Sequence, residues 1–144
     1  MDISDNGLNL IKQNEGLKLT VYADVAGHMT VGYGHKDDSM NLGDVITQDQ
    51  ADQFLQDDVA SVVAGVNKSL TVDVTQNQFD ALCDFAYNLG VGDERTSTLV
   101  KLINQGDTAD AANQFPLWCH AGGVVVEDLV RRRAQEQALF LSSD

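Results

Sequence analysis

The sequence predicts a mainly helical α+β fold with a single small β-sheet near the N-terminus. Three observations predict it. Long stretches after Thr47 and after Thr75 place apolar residues at helical spacing. One segment, Leu17 to about His35, changes to β-branched and aromatic residues broken by Gly27, Gly32 and Gly34. Only one proline, Pro116, interrupts 144 residues, and neither an internal repeat nor a low-complexity linker occurs.

Taken in order, Ser4 is a plausible N-cap for a first helix that runs to Glu15, and Gly16 supplies its stop. Leu8, Ile11 and Glu15 share one face of that helix. The segment from Leu17 to His35 reads as an antiparallel hairpin or three-stranded sheet. Thr47-Gln48-Asp49-Gln50 has the form of a capping box, and Ala51, Phe54, Leu55, Val59, Val62, Val63 and Val66 follow on one helical stripe. Thr75-Gln76-Asn77-Gln78 repeats that signature ahead of Phe79, Leu82, Cys83, Ala86 and Leu89, with Gly90 as the stop. Shorter helices are expected near Ser97 to Asn104 and Thr108 to Phe115, and a last one from about Val126 to Leu141.

The length fits one domain, or two small lobes sharing a helix, and 43% hydrophobic residues suffice for a core. No stretch reaches the roughly 18 apolar residues of a membrane helix. Met1-Asp2-Ile3-Ser4-Asp5-Asn6 has no basic region leading into an apolar run, so no signal peptide is expected and synthesis in a cytoplasm is. Cys83 and Cys119 make no disulfide framework, Cys83 reads as a small buried hydrophobe, and Cys119 beside His120 lacks the second ligand pair of a zinc site. No metal or other cofactor is expected.

The formal net charge is −13, from 22 acidic and nine basic residues, which argues against nucleic acid as a partner. Asp37-Asp38, Asp57-Asp58 and Asp93-Glu94 read as paired runs of a solvated acidic surface. Three of the bases are crowded into Arg131-Arg132-Arg133.

Glu15, Asp24 and Thr30 stand nine and then six residues apart inside the glycine-punctuated segment. Glu15 falls at the carboxyl end of a helix and on its apolar stripe, where the helix dipole and burial both disfavour an ionised carboxylate. A Glu kept protonated near neutral pH is a competent general acid for a leaving glycosidic oxygen. A hairpin returning beside the helix end brings Asp24 across from it. In inverting glycosidases the second carboxylate activates a water, the two groups standing roughly 6.5–9.5 Å apart. Thr30 on the returning strand is placed to orient that water. Each residue alone has a plainer reading: a solvated helix end, a turn cap, a good β-former.

Together with Tyr22 and the run Thr30-Val31-Gly32-Tyr33-Gly34-His35, these residues resemble the active-site signature of the phage-type lysozymes, glycoside hydrolase family 24. The similarity continues through Thr75 to Leu82, Asn88-Leu89-Gly90, Leu117-Trp118 and Leu129 to Glu136. The resemblance implies a single lysozyme-like domain over 1–144, with a small β-containing lobe at about 15–60. A helical lobe at about 67–144 takes in the N-terminal helix, and the long helix after Thr47 connects the two. It implies a muramidase that hydrolyses the β-1,4 bond between N-acetylmuramic acid and N-acetylglucosamine in bacterial peptidoglycan. Glu15 is then the general acid, Asp24 positions or activates the water and Thr30 completes the site.

An Arg on the last helix would partner the catalytic Glu. Register favours Arg132 over Arg131, and the alternative is a surface basic cluster. His35 is expected to be structural and paired with an acid, and Tyr22 to pack under or line the site. The alternatives are a lytic transglycosylase, which needs no water-activating Asp, and a non-catalytic wall-binding domain. The expected protein is a monomer whose partner is peptidoglycan, with neither nucleic acid nor membrane involved. It would accumulate in a host cytoplasm and reach the wall after release. The resemblance implies a phage endolysin released by a holin, with an engineered member of the family as the alternative. Two departures stand out: Asp93-Glu94 is polar where relatives carry an aromatic, and Asp128 replaces a usual Gly.

Overall fold

The computed structural model describes all 144 residues, Met1–Asp144. The element order is α1(Asp5–Glu15), β1(Lys18–Ala23), β2(Met29–Gly32), β3(His35–Lys36), α2(Gln48–Ser69), α3(Gln76–Leu89), α4(Val91–Thr96), α5(Thr98–Asn104), α6(Thr108–Ala112), β4(His120–Ala121), β5(Val124–Val125) and α7(Glu127–Leu141). A 3-10 turn, Phe115–Leu117, precedes β4. Two compact units emerge: Asn9–Ser61, and Met1–Leu8 together with Val62–Asp144.

In the 9–61 unit, β1, β2 and β3 form an antiparallel sheet in that order. Tyr22 pairs with Thr30, and Thr30 with Lys36, so one row of residues crosses all three strands. Val21, Val31, Ile46 and Ala51 make the core of this unit, with Met29, Tyr33, Met40 and Phe54 packed against it. The start of α2 is closed by a reciprocal capping box, in which the Gln50 N–H donates to Thr47 Oγ1 at 3.1 Å and the Thr47 N–H to Gln50 Oε1 at 2.8 Å.

In the other unit, α3 packs on α7. Phe79, Leu82, Phe85, Leu99, Ile103, Phe115 and Phe140 are buried at its centre. Phe85 meets Phe115 and Trp118 edge-on at 5.5 and 5.6 Å between ring centroids. The expected capping box at Thr75 is present in full. Ser4 caps α1 through Gly7 N–H at 3.2 Å and is itself held by Asp80, which also accepts from Gln76. Cys83 is fully buried, and burial holds its thiol far above its ordinary pKa.

Four expectations need correction. The N-terminal sheet is not the only one, because β4 and β5 pair antiparallel around Gly122-Gly123. Both glycines have positive φ, 58° and 79°, the backbone of a tight two-residue hairpin turn. The helix expected at Thr108 to Phe115 stops at Ala112, and the 3-10 turn with Pro116 follows. A short helix, α4, occupies the segment after Gly90. Glu94 within it is fully buried, so Asp93-Glu94 is not a surface run.

Candidate active site

Glu15 ends α1 and is half-buried. The chain leaves the helix through Gly16, whose N–H donates to the Lys12 carbonyl at 2.9 Å. Gly34, at φ 74°, passes directly against the Glu15 carboxyl, so that a Cβ added there would lie 2.4 Å from Oε1. Glycine at 34 is therefore required twice, by backbone conformation and by close approach.

Asp24 follows β1 and opens the turn to β2. Its Oδ1 accepts two backbone N–H groups, from Ala26 at 2.9 Å and His28 at 2.8 Å. Its Oδ2 lies 3.4 Å from Lys36 Nζ. The His28 amide foremost holds this carboxyl below the usual carboxylate range; desolvation, the next largest influence, opposes it, and the Lys36 ammonium and the Ala26 amide add to the lowering. Asp24 is thus a fixed, ionised group.

Thr30 is buried on β2, and its hydroxyl donates to the His28 carbonyl at 2.9 Å. With its proton so placed, Oγ1 offers lone pairs to any further partner. Tyr22, across from Thr30 on β1, lies in the fields of both Glu15 and Asp24. Burial first, then those two carboxylates, raise its hydroxyl pKa. His35 has partners of its own. Its Nδ1 meets Asp58 Oδ2 at 2.7 Å, and its ring stacks on Phe54 at 4.1 Å with 5° between the planes. It fastens β3 to α2 within the 9–61 unit.

Arg132 belongs to the other unit. It forks onto Asp84, with Nε to Oδ2 and Nη2 to Oδ1 both at 3.0 Å, and both side chains are buried. Its neighbours differ. Arg131 is exposed and pairs with Asp128 at 2.6 Å. Arg133 is fully buried against Glu136 at 2.6 Å and Asn88 at 2.9 Å, with its guanidinium 5.2 Å from the Phe85 ring centre. The run is not a surface basic cluster. Burial first, then Asp84, raise the Glu136 pKa well above the carboxylate range, and the two arginines partly offset this.

Reading the sequence did not single out Lys36, Asp58, Asp84 or Glu136. The signal for Lys36 existed in principle, since an antiparallel third strand sets it beside Thr30. No three His, Cys, Asp or Glu side chains converge as metal ligands, and no helix is long and apolar enough to cross a membrane.

This is a small α+β protein with one carboxyl group at a helix end and a second fixed in a hairpin turn, both acting on one tyrosine. Residues 12–136 match the phage lysozyme family. The endolysin of Bacillus phage PZA is 54% identical over 144 residues, covering 99% of this chain and 56% of the relative. An endolysin of Acyrthosiphon pisum secondary endosymbiont phage 1 is 45% identical over 147 residues, covering 99% of this chain and all of that protein. Among solved structures, the muramidase domain of SpmX from Asticaccaulis excentricus superposes with a TM-score of 0.89 at 36% identity, covering 99% of both chains. The chain belongs to the phage lysozyme family. It spans little more than half the length of the Bacillus phage relatives that it matches.

Proposed function

We propose that this protein is a muramidase that lyses bacterial cell walls by hydrolysing the β-1,4 bond between N-acetylmuramic acid and N-acetylglucosamine in peptidoglycan. Family membership supports the substrate class. The observation that carries the chemistry is that one short stretch of chain meets both carboxyl groups: Gly34 lies against that of Glu15, and Lys36, two residues on, stands 3.4 Å from Asp24 Oδ2.

In this reading Glu15 gives its proton to the leaving glycosidic oxygen as the bond breaks. Asp24, ionised at the outset, accepts a hydrogen bond from the attacking water through Oδ2 and takes that proton as the water oxygen bonds to the anomeric carbon. Thr30 Oγ1, its own proton committed to the His28 carbonyl, accepts the water's other hydrogen and turns a lone pair toward the anomeric carbon. Tyr22 lines the site, and His35 keeps the sheet in register from behind. The test is a turbidity assay on chloroform-treated Gram-negative cells with wild type beside Glu15→Gln. Clearing by the wild type and none by a folded Glu15→Gln variant supports the assignment; clearing by both contradicts it.

A further inference from the structure

Resting on Asp24's part in that reaction, we infer that Lys36 is a positioning residue for Asp24: its ammonium, 3.4 Å from Oδ2, keeps that oxygen a carboxylate oxygen for the attacking water. Asp24 has two oxygens with different duties. Oδ1 is filled by the Ala26 and His28 amides, so the orientation of the carboxylate plane is set by the turn itself. Only Oδ2 is left to meet a water. The sole cation whose contact with it is a matter of geometry is Lys36, at 3.4 Å.

Lys36 reaches this point because β3 pairs Lys36 with Thr30, and β2 pairs Thr30 with Tyr22. The row Tyr22–Thr30–Lys36 therefore runs along one line across the sheet, with Asp24 two residues beyond Tyr22. The ammonium takes one lone pair of Oδ2 and leaves another for water. It also offsets the repulsion between Asp24 and Asp38. Asp38 lies within the field of Asp24 and is itself bound by the His28 ring and by the Met29 N–H. The groups facing Asp24 are thus Tyr22 from β1, His28 from the turn, Lys36 from β3 and Asp38 just after it. His28 holds Asp38, and Lys36 holds Asp24. The Lys36 side chain is 60% exposed while that of Asp24 is 17% exposed, so the pair is open to salt on one side only.

The consequence has a sign. A cation beside Asp24 extends its ionised range toward acid, so removing it must cost activity at the acid end and spare activity at neutral pH. The experiment follows the Asp24 side-chain carboxyl by carbon-13 NMR titration in the full chain, for wild type, Lys36→Met and Lys36→Arg, and takes kcat/KM against pH on soluble peptidoglycan fragments. Expected for Lys36→Met are an Asp24 titration moved to higher pH and an acid limb moved with it. The loss is about threefold at the acid end, in the range of partly exposed ion pairs, and absent at neutral pH. Lys36→Arg restores both. An Asp24 titration that stays in place in Lys36→Met overturns the inference. A titration that moves while the acid limb does not overturns Asp24's part in the reaction instead.

Discussion

Gly34 is pressed so closely against Glu15 that a single methyl group on it would stand 2.4 Å from the carboxyl oxygen Oε1. The glycine after Tyr33 is thus the wall that fixes where the helix-end acid points, and its φ of 74° is one that side chains rarely adopt. Gly34→Ala is expected to displace Glu15 and lower kcat by about a hundredfold, the scale of a misplacement of roughly 1 Å. The positive φ adds a stability loss of about 1–2 kcal/mol. Steady-state rates beside thermal melts check both; a wild-type rate in a folded Gly34→Ala variant would contradict this placement.

The three adjacent arginines predict three different outcomes. Arg132→Met strands the buried Asp84 carboxylate and should cost about 3–5 kcal/mol, as breaking one side of a buried pair does. Arg133→Met takes away its hydrogen bonds to Asn88 and Glu136 and should cost about 1–3 kcal/mol, because Glu136, with its raised pKa, is left as a neutral acid rather than a bare charge. Arg131→Ala should stay within about 0.5 kcal/mol, because its pair with Asp128 is exposed. Urea unfolding of the three variants reads the order directly, and equal losses at all three would refute it.

Glu94 makes stability depend on pH in a direction opposite to most carboxylates. Ser69 Oγ lies 2.7 Å from both the Val66 carbonyl oxygen and Glu94 Oε1. A hydroxyl has one proton, so both contacts are met together when Glu94 is protonated and donates. Glu94 Oε2 is buried without a hydrogen-bond partner, which also favours the neutral acid. Burial pushes the Glu94 pKa up to about 7, with the Ser69 contact and Arg95 opposing. A folded pKa above the unfolded one gives stability that is complete below about pH 4.5 and is lost as pH rises through about 7, at most about 3 kcal/mol. Glu94→Gln should remove that slope, so the variant gains on wild type between pH 5 and 8 in chemical denaturation. A constant difference across that range would show that Glu94 does not titrate there.

The legible parts were those with local signals. The boxes at Thr47 and Thr75 cap their helices as their spacing says, because a capping box is complete within four residues. The stop of α1 at Gly16 and the glycine-broken sheet were likewise local. Pairings across long separations were not legible: His35 with Asp58 spans 23 positions and Arg132 with Asp84 spans 48. Charge runs misled for a geometric reason. Successive helical residues point about 100° apart, so one member of a run is buried while its neighbour meets water. That separates Glu94 from Asp93 and Arg132 from Arg131. The β4–β5 hairpin left only Gly122-Gly123 as a trace, since two-residue strands are too short to show alternation.

The net charge of −13 predicts an unusual response to salt. Like charges on enzyme and anionic wall repel, and salt shortens that repulsion to about 10 Å at 0.1 M. Lysis of whole cells should stay level or rise as salt is added at low ionic strength. A steep fall with salt, measured as turbidity loss, would show that a basic face drives wall binding instead.

The central claim, hydrolysis by Glu15 with a water held at Asp24, is tested most directly by the masses of muropeptides released from purified peptidoglycan. The account predicts fragments with ordinary reducing ends, each carrying the elements of one added water, and no fragments from Glu15→Gln. Anhydro-ended fragments, lighter by one water, would contradict it, because a ring closed within the sugar leaves no task for Asp24 or Thr30.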